Sequence, residues 1–179
     1  RYRYFTMVLY QYHLIARCND LANFCIRDLH EHSDPRFSSF ALQTCVHWSK
    51  NVRDERDCPN QIFLGSYDTS HCLLRALSVY LETWLSSGTT STTDTVLLFG
   101  DGDGEATVDH IKVNFSAALR RYFNTHLASP GQRSDLGTHS LRKFASTFAH
   151  NNGCSMDEID CRGRWKRNSR RTVDVYIDV

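Results

Sequence analysis

The sequence predicts a mainly α-helical domain with a small antiparallel β-hairpin element, an α+β arrangement in which helix dominates. Three observations predict it. Apolar residues recur at the i, i+3, i+4 and i+7 spacing of a helix face in most of the long stretches. Two short apolar runs flank one strongly charged tip, the pattern of a hairpin. The 179 residues hold no internal repeat and no second composition regime, so a single core of ordinary size is expected over residues 1–179.

From about Tyr12 to His30, Leu14, Cys18, Leu21 and Cys25 share a helix face, with Arg17 and Asp20 beside it. Glu31 to Ser39 is polar, contains Pro35, and reads as a loop. Phe40–Trp48 and Gln61–Leu64 read as strands, and Lys50 to Arg56 is the charged tip between them. Asp68 to Ser70 can cap a helix whose face is Leu73, Leu74, Leu77, Tyr80, Leu81 and Trp84. Gly88 to Thr95 is a Ser/Thr-rich loop, Val96 to Phe99 a short apolar run, and Gly100 to Gly104 an acidic turn. That turn lacks the spaced ligands and terminal glutamate of a calcium loop, so no metal is expected there.

A second long helix is predicted around Ile111, Phe115, Ala118, Leu119 and Phe123. A third has Leu141, Phe144, Ala145 and Phe148 as its face, with a C-cap at Gly153. Ser155-Met156-Asp157-Glu158 is a capping box that opens a further short helix. The tail is ambiguous. Val173, Val175, Ile177 and Val179 alternate like a strand, while Val173, Tyr176 and Ile177 would also form one side of a short helix.

No apolar run approaches the ~18 residues needed to cross a bilayer. The basic start is not followed by a secretory cleavage pattern. The chain opens on Arg1 rather than Met, which reads as a piece of a longer protein. Seven cysteines, an odd number with no Cys-x-x-Cys, point to reduced thiols in an intracellular protein rather than disulfides or zinc. His150 and Cys154 could meet at i, i+4, but further ligands are not evident.

Formal net charge is only +1, and the signal lies in its distribution. Arg162, Arg164, Lys166, Arg167, Arg170 and Arg171 form a basic block with no acidic residue inside it. Such a block can bind DNA phosphates while the whole chain stays near neutral. His139 and Arg142 are placed at the start of the third helix, three residues apart on one side, where anions are already favoured.

Taken in order, Arg17 with Asp20, Lys50 at the hairpin tip, His139 with Arg142, Trp165 and finally Tyr176 resemble the catalytic domain of the tyrosine recombinases, the phage-integrase-like DNA strand-transfer enzymes. The resemblance covers nearly the whole chain. The runs Trp48-Ser49-Lys50-Asn51-Val52-Arg53 and Arg162-Gly163-Arg164-Trp165-Lys166 are most similar to crypton-type recombinases of eukaryotic mobile elements. The resemblance implies the integrase catalytic-domain fold and a helical setting for Tyr176. It implies that Arg17 and Arg142 clamp the scissile phosphate and that His139 hydrogen-bonds it and can take the tyrosine proton. Lys50 would protonate the departing 5′-oxygen, and Trp165 would position through its indole N–H. Tyr176 would attack to give a 3′-phosphotyrosyl link, and Asp20 would brace the site.

The same resemblance implies double-stranded DNA as partner, a homodimer or homotetramer on that DNA, no cofactor or metal, and a nuclear location for an element of eukaryotic origin. The interval from Trp165 to Tyr176 is slightly long for the family. The N-terminal core-binding domain and the C-terminal extension of such enzymes have no counterpart in these residues, so weak, salt-sensitive DNA binding is expected. Two other functions fit the residue set: DNA relaxation of the type IB topoisomerase kind, and a domesticated DNA-binding module without chemistry.

Overall fold

A computed structural model of the chain describes residues 2–47, 60–86, 96–101, 106–129, 135–165 and 176–177. The expected hairpin tip with Lys50, the loop at Gly88 to Thr95, part of the acidic turn, and Lys166, Arg167, Arg170 and Arg171 lie outside these residues. So does most of the tail around Tyr176.

Six α-helices, one 3-10 turn (Ile26–Asp28) and one small sheet make up the described fold. The helices and strands are α1 (Tyr2–Leu14), α2 (Cys18–Ala22), β1 (Leu29–Glu31), β2 (Ala41–Thr44), β3 (Gln61–Leu64), α3 (Leu73–Ser86), α4 (Val108–His126), α5 (Thr138–Asn151) and α6 (Met156–Gly163). The strands form an antiparallel sheet in the order β1-β2-β3, with Ala41 opposite Leu64 and Thr44 opposite Gln61. The domain is therefore mainly helical with a small antiparallel sheet. Among the described residues no helix is long and apolar enough to cross a membrane.

Helix α1 runs through the middle, packed against α3 on one side and α5 on the other. Its Met7, Tyr10 and Leu14 are fully buried. The Tyr10 ring sits among Phe24, Phe63 and Phe99 with centroids 5.4–5.6 Å apart, a spacing at which aromatic quadrupoles attract. Leu73, Leu77 and Tyr80 of α3 and Ile111, Phe115 and Leu119 of α4 complete this core. The apolar run at Val96 to Phe99 lies against the segment after α2: Ile26 N–H donates to Val96 O at 3.0 Å and Leu98 N–H to Phe24 O at 2.6 Å.

Four expectations need correction. The helix expected over Tyr12 to His30 is broken. Helix α1 stops at Leu14, Ile15 takes a left-handed φ of 47°, and the chain restarts as α2 after Arg17. The Ala16 N–H to Gln11 O and Ile15 N–H to Tyr12 O bonds close a Schellman turn. Cys18 and Cys25 therefore share no helix face. The first strand, Leu29–Glu31, and α1 upstream of Tyr12 were not expected at all.

The face of α5 is also turned. Its buried residues are Arg142, Ala145 and Ser146, whereas Phe144 is 58% and Phe148 47% exposed. The two phenylalanines lie beside Tyr12 instead, each 5.9 Å away. An inward arginine, not an inward phenylalanine, sets the rotation of this helix. Finally, α3 begins at Leu73, later than a cap at Asp68 to Ser70 would place it; Asp68 accepts the Ser70 N–H at 2.9 Å and closes a separate turn.

The remaining caps follow the sequence. Ser155 Oγ accepts the Glu158 N–H and the Glu158 carboxylate accepts the Ser155 N–H at 2.7 Å, completing the expected box. Gly153 ends α5 with φ of 90°.

Candidate active site

The break between α1 and α2 presents Arg17. It is the N-cap of α2 in extended conformation, and the Asp20 carboxylate accepts its backbone N–H at 3.0 Å. Gln11 ties this turn to the start of α5, donating from Nε2 to Ala16 O at 3.2 Å and Thr138 O at 2.8 Å. A cleft of about 280 Å³ results, lined among others by Arg17, Asn19, Lys112, Ser116, His139 and Arg142. His139, in the first turn of α5, is exposed to it.

Arg142 is the largest fully buried side chain among the described residues, with 1% exposure. Its Nη2 donates to Gly163 O at 2.7 Å. The face of its guanidinium lies 4.0 Å from the Trp165 ring centroid and 5.7 Å from that of Tyr176, a stacked cation–π arrangement. Its Nε and Nη1 have no hydrogen-bond partner among the described residues. The nearest anion to Nη1 is Asp20 Oδ2, 4.0 Å away. Burial, and the Arg17 guanidinium beside it, push Arg142 down to about 9, so it remains a cation at neutral pH. A buried cation with two unused donors beside a cleft can bind an anion that reaches those nitrogens.

Trp165 and Tyr176 do not line the cleft; they stand behind Arg142 with their rings 5.3 Å apart. Trp165 therefore contacts the arginine through its ring face, whereas its N–H was the expected positioning group. Tyr176 and Ile177 are held there. Thr147 Oγ1 donates to Tyr176 O at 3.2 Å, and Ile177 is buried with Ile15, Ala145, Ile159 and Trp165 in a second small cluster.

Of the expected DNA-binding block, Arg164 is buried and Arg162 half-buried. Arg164 is 5% exposed, and its Nη2 holds Asp20 Oδ2 at 2.9 Å. Arg162 donates to His13 O at 2.8 Å and to Gln61 Oε1 at 2.6 Å, and it lies over the Phe63 ring. Both join distant elements, because each has carbonyl, amide or carboxylate partners within reach that a phosphate ligand would have to displace. Lys112 and Gln11 are cleft residues that sequence reasoning missed. Their only signal was position on a helix, which does not mark a site.

The two non-glycine residues with positive φ among those described are Ile15 and Arg164. Each lies one or two positions before a candidate site residue, Arg17 or Trp165. Arg164 N–H to Cys161 O and Trp165 N–H to Asp160 O form the same Schellman turn as at Ile15. Left-handed backbone costs a side-chain-bearing residue about 1–2 kcal/mol, and such strain tends to collect at functional sites. Among the described residues no cluster of His, Cys, Asp and Glu could hold a metal ion. In comparison with known proteins, the chain matches no family model and none of the curated proteins.

Proposed function

We propose that this domain is a DNA strand transferase of the tyrosine-recombinase type, cutting and rejoining DNA through a 3′-phosphotyrosyl intermediate. The observation that carries the reading is the meeting of Arg17, His139, Arg142, Trp165 and Tyr176, which the chain spreads over 160 positions, around one buried and under-bonded guanidinium. Lys50 completes the set in the proposal.

In this mechanism the scissile phosphate enters the cleft and takes the vacant Nε and Nη1 donors of Arg142, with Arg17 on its other oxygen. Charge builds on these non-bridging oxygens in the transition state, where preorganised donors contribute most. Trp165 holds the Arg142 plane, so the fork meets the phosphate in one orientation. Tyr176, which stands behind Arg142 and outside the cleft lining, swings into the cleft in this mechanism; its oxygen then attacks phosphorus as its proton passes to His139. The bond to the 5′-oxygen breaks, and Lys50 supplies that oxygen's proton. One phosphoester replaces another, so attack by a new 5′-hydroxyl can reverse the step with no outside energy source.

The test is a nicked suicide duplex carrying candidate target sites, incubated with the protein. The proposal expects a covalent protein–DNA adduct that Tyr176→Phe abolishes while DNA binding persists. Binding without any adduct in the wild type would favour a non-catalytic DNA-binding module. Relaxation of plasmids without joining of separate duplexes would favour topoisomerase chemistry. Replacing Lys50 by Ala should slow cleavage of normal DNA yet spare a substrate with a 5′-thio leaving group.

A further inference from the structure

Asp20 poses a problem for the cleft. Its carboxylate is 1% exposed, its Oδ2 lies 4.0 Å from Arg142 Nη1, and its Oδ1 has no hydrogen bond among the described residues. A carboxylate and a guanidinium this close, both out of water, are drawn into a direct pair. That pair would occupy the nitrogens Arg142 otherwise offers to the cleft.

The arrangement around Oδ2 opposes it. Arg164 Nη2 approaches at 2.9 Å and the Arg17 N–H at 3.0 Å, while Gly163 O and the Trp165 ring hold Arg142 from the other side. Segment 163–165 thus supplies three contacts at once: a carbonyl and a ring for Arg142, and a competing cation for Asp20. The left-handed turn at Arg164 makes this possible, since it closes the end of α6 while the Arg164 side chain reaches Asp20 and its neighbours reach Arg142. Glycine would take that turn without strain but would bring no charge.

We infer that Arg164 is a positioning residue: by neutralising Asp20, it keeps Arg142 Nε and Nη1 available to an oxyanion in the cleft. The inference deepens the proposed function and rests on the cleft receiving a phosphodiester. Without Arg164, Asp20 has one buried cation left to pair with, and a shift of about 1 Å would bring Arg142 into hydrogen-bonding range.

Arginine Nε NMR on labelled protein, with inorganic phosphate as probe and the Arg142 signal assigned through Arg142→Lys, tests the inference. In the wild type, phosphate should move the Arg142 Nε signal. In Arg164→Met that signal should be displaced before phosphate is added, and phosphate affinity should fall about tenfold, as for loss of a charge-assisted bond. Asp20→Asn with Arg164→Met removes both charges and should restore the signal and the affinity. Should Arg164→Met fail to fold, Arg164→Lys serves: it keeps a cation and should bind phosphate nearly as the wild type does.

A folded Arg164→Met with wild-type signal and affinity overturns the inference. So does a cooperatively melting double variant that recovers nothing, a lysine variant with a displaced Arg142 signal, or a wild-type signal that phosphate leaves in place. If phosphate binds as expected but no DNA adduct forms, strand transfer fails and the role of Arg164 stands. If adduct forms and Arg164→Met changes neither readout, the role of Arg164 fails alone.

Discussion

Helices α5 and α6 end in the same backbone turn but on different residues. At the end of α5 the left-handed position is Gly153, with φ of 90° and nothing within 4 Å of where a Cβ would stand. At the end of α6 it is Arg164, with φ of 54°, buried against Asp20. The α5 end closes a helix and touches no site residue. The α6 end closes a helix and also delivers Gly163 O and the Trp165 ring to Arg142. The difference teaches what this fold gains from strain: a side chain is kept in an unfavourable backbone region where it is used, as a charge at Arg164 and, at Ile15, as an apolar group buried in the second cluster.

The largest effect expected from this contrast is at Arg142. Arg142→Met should lower adduct formation about a thousandfold, the upper range for loss of an oxyanion donor. The melting temperature should stay level or rise, because a buried, under-bonded cation is removed while Asp20 keeps Arg164. A large fall in melting temperature would mean that Arg142 serves the fold.

Gly163→Ala comes next. A Cβ there would lie 1.9 Å from Trp165 Cζ3, so the ring must move off Arg142. We expect a loss of about 1–3 kcal/mol, typical of overpacking, together with slower cleavage in kinetic assays. Unchanged cleavage would separate the Trp165 stack from the chemistry.

Arg162→Ala should cost about 1–3 kcal/mol through its unpaired carbonyl partners, measured by denaturant unfolding. The slope of DNA affinity against salt should not change, since the donors of this half-buried guanidinium are taken by His13 O, Gln61 Oε1 and Ile62 O. A shallower slope would return Arg162 to the DNA-contacting set. The smallest effect is Gly153→Ala, about 1 kcal/mol from the left-handed backbone alone, with adduct formation untouched while the protein is folded.

The fold is legible in the sequence where one local signal dominates. Helices α3, α4 and α6 follow from periodicity or a capping box, and β2 and β3 from apolar runs beside a charged tip. It is not legible where tertiary contacts override the local pattern. Nothing in Ile15-Ala16-Arg17 signals a stop, because a β-branched residue is an improbable occupant of a left-handed cap; the run of helical spacing simply continues through it. Met7, Tyr10 and Leu14 did carry a helical period that would have revealed α1.

The candidate site divides the same way. His139 and Arg142 on α5 were legible from spacing, but Arg142 facing inward was not, since an arginine reads as exposed. In the sequence Arg164 is one member of a charge run. Its burial depends on Asp20, 144 positions away, and no local pattern carries that information.

The most direct measurement is the identity of the residue that holds DNA in a trapped adduct. Protease and nuclease digestion of the adduct from a nicked suicide duplex, followed by mass spectrometry, should find a nucleotide remnant on Tyr176. A remnant on another residue, or DNA cut with no protein attached, would contradict the account.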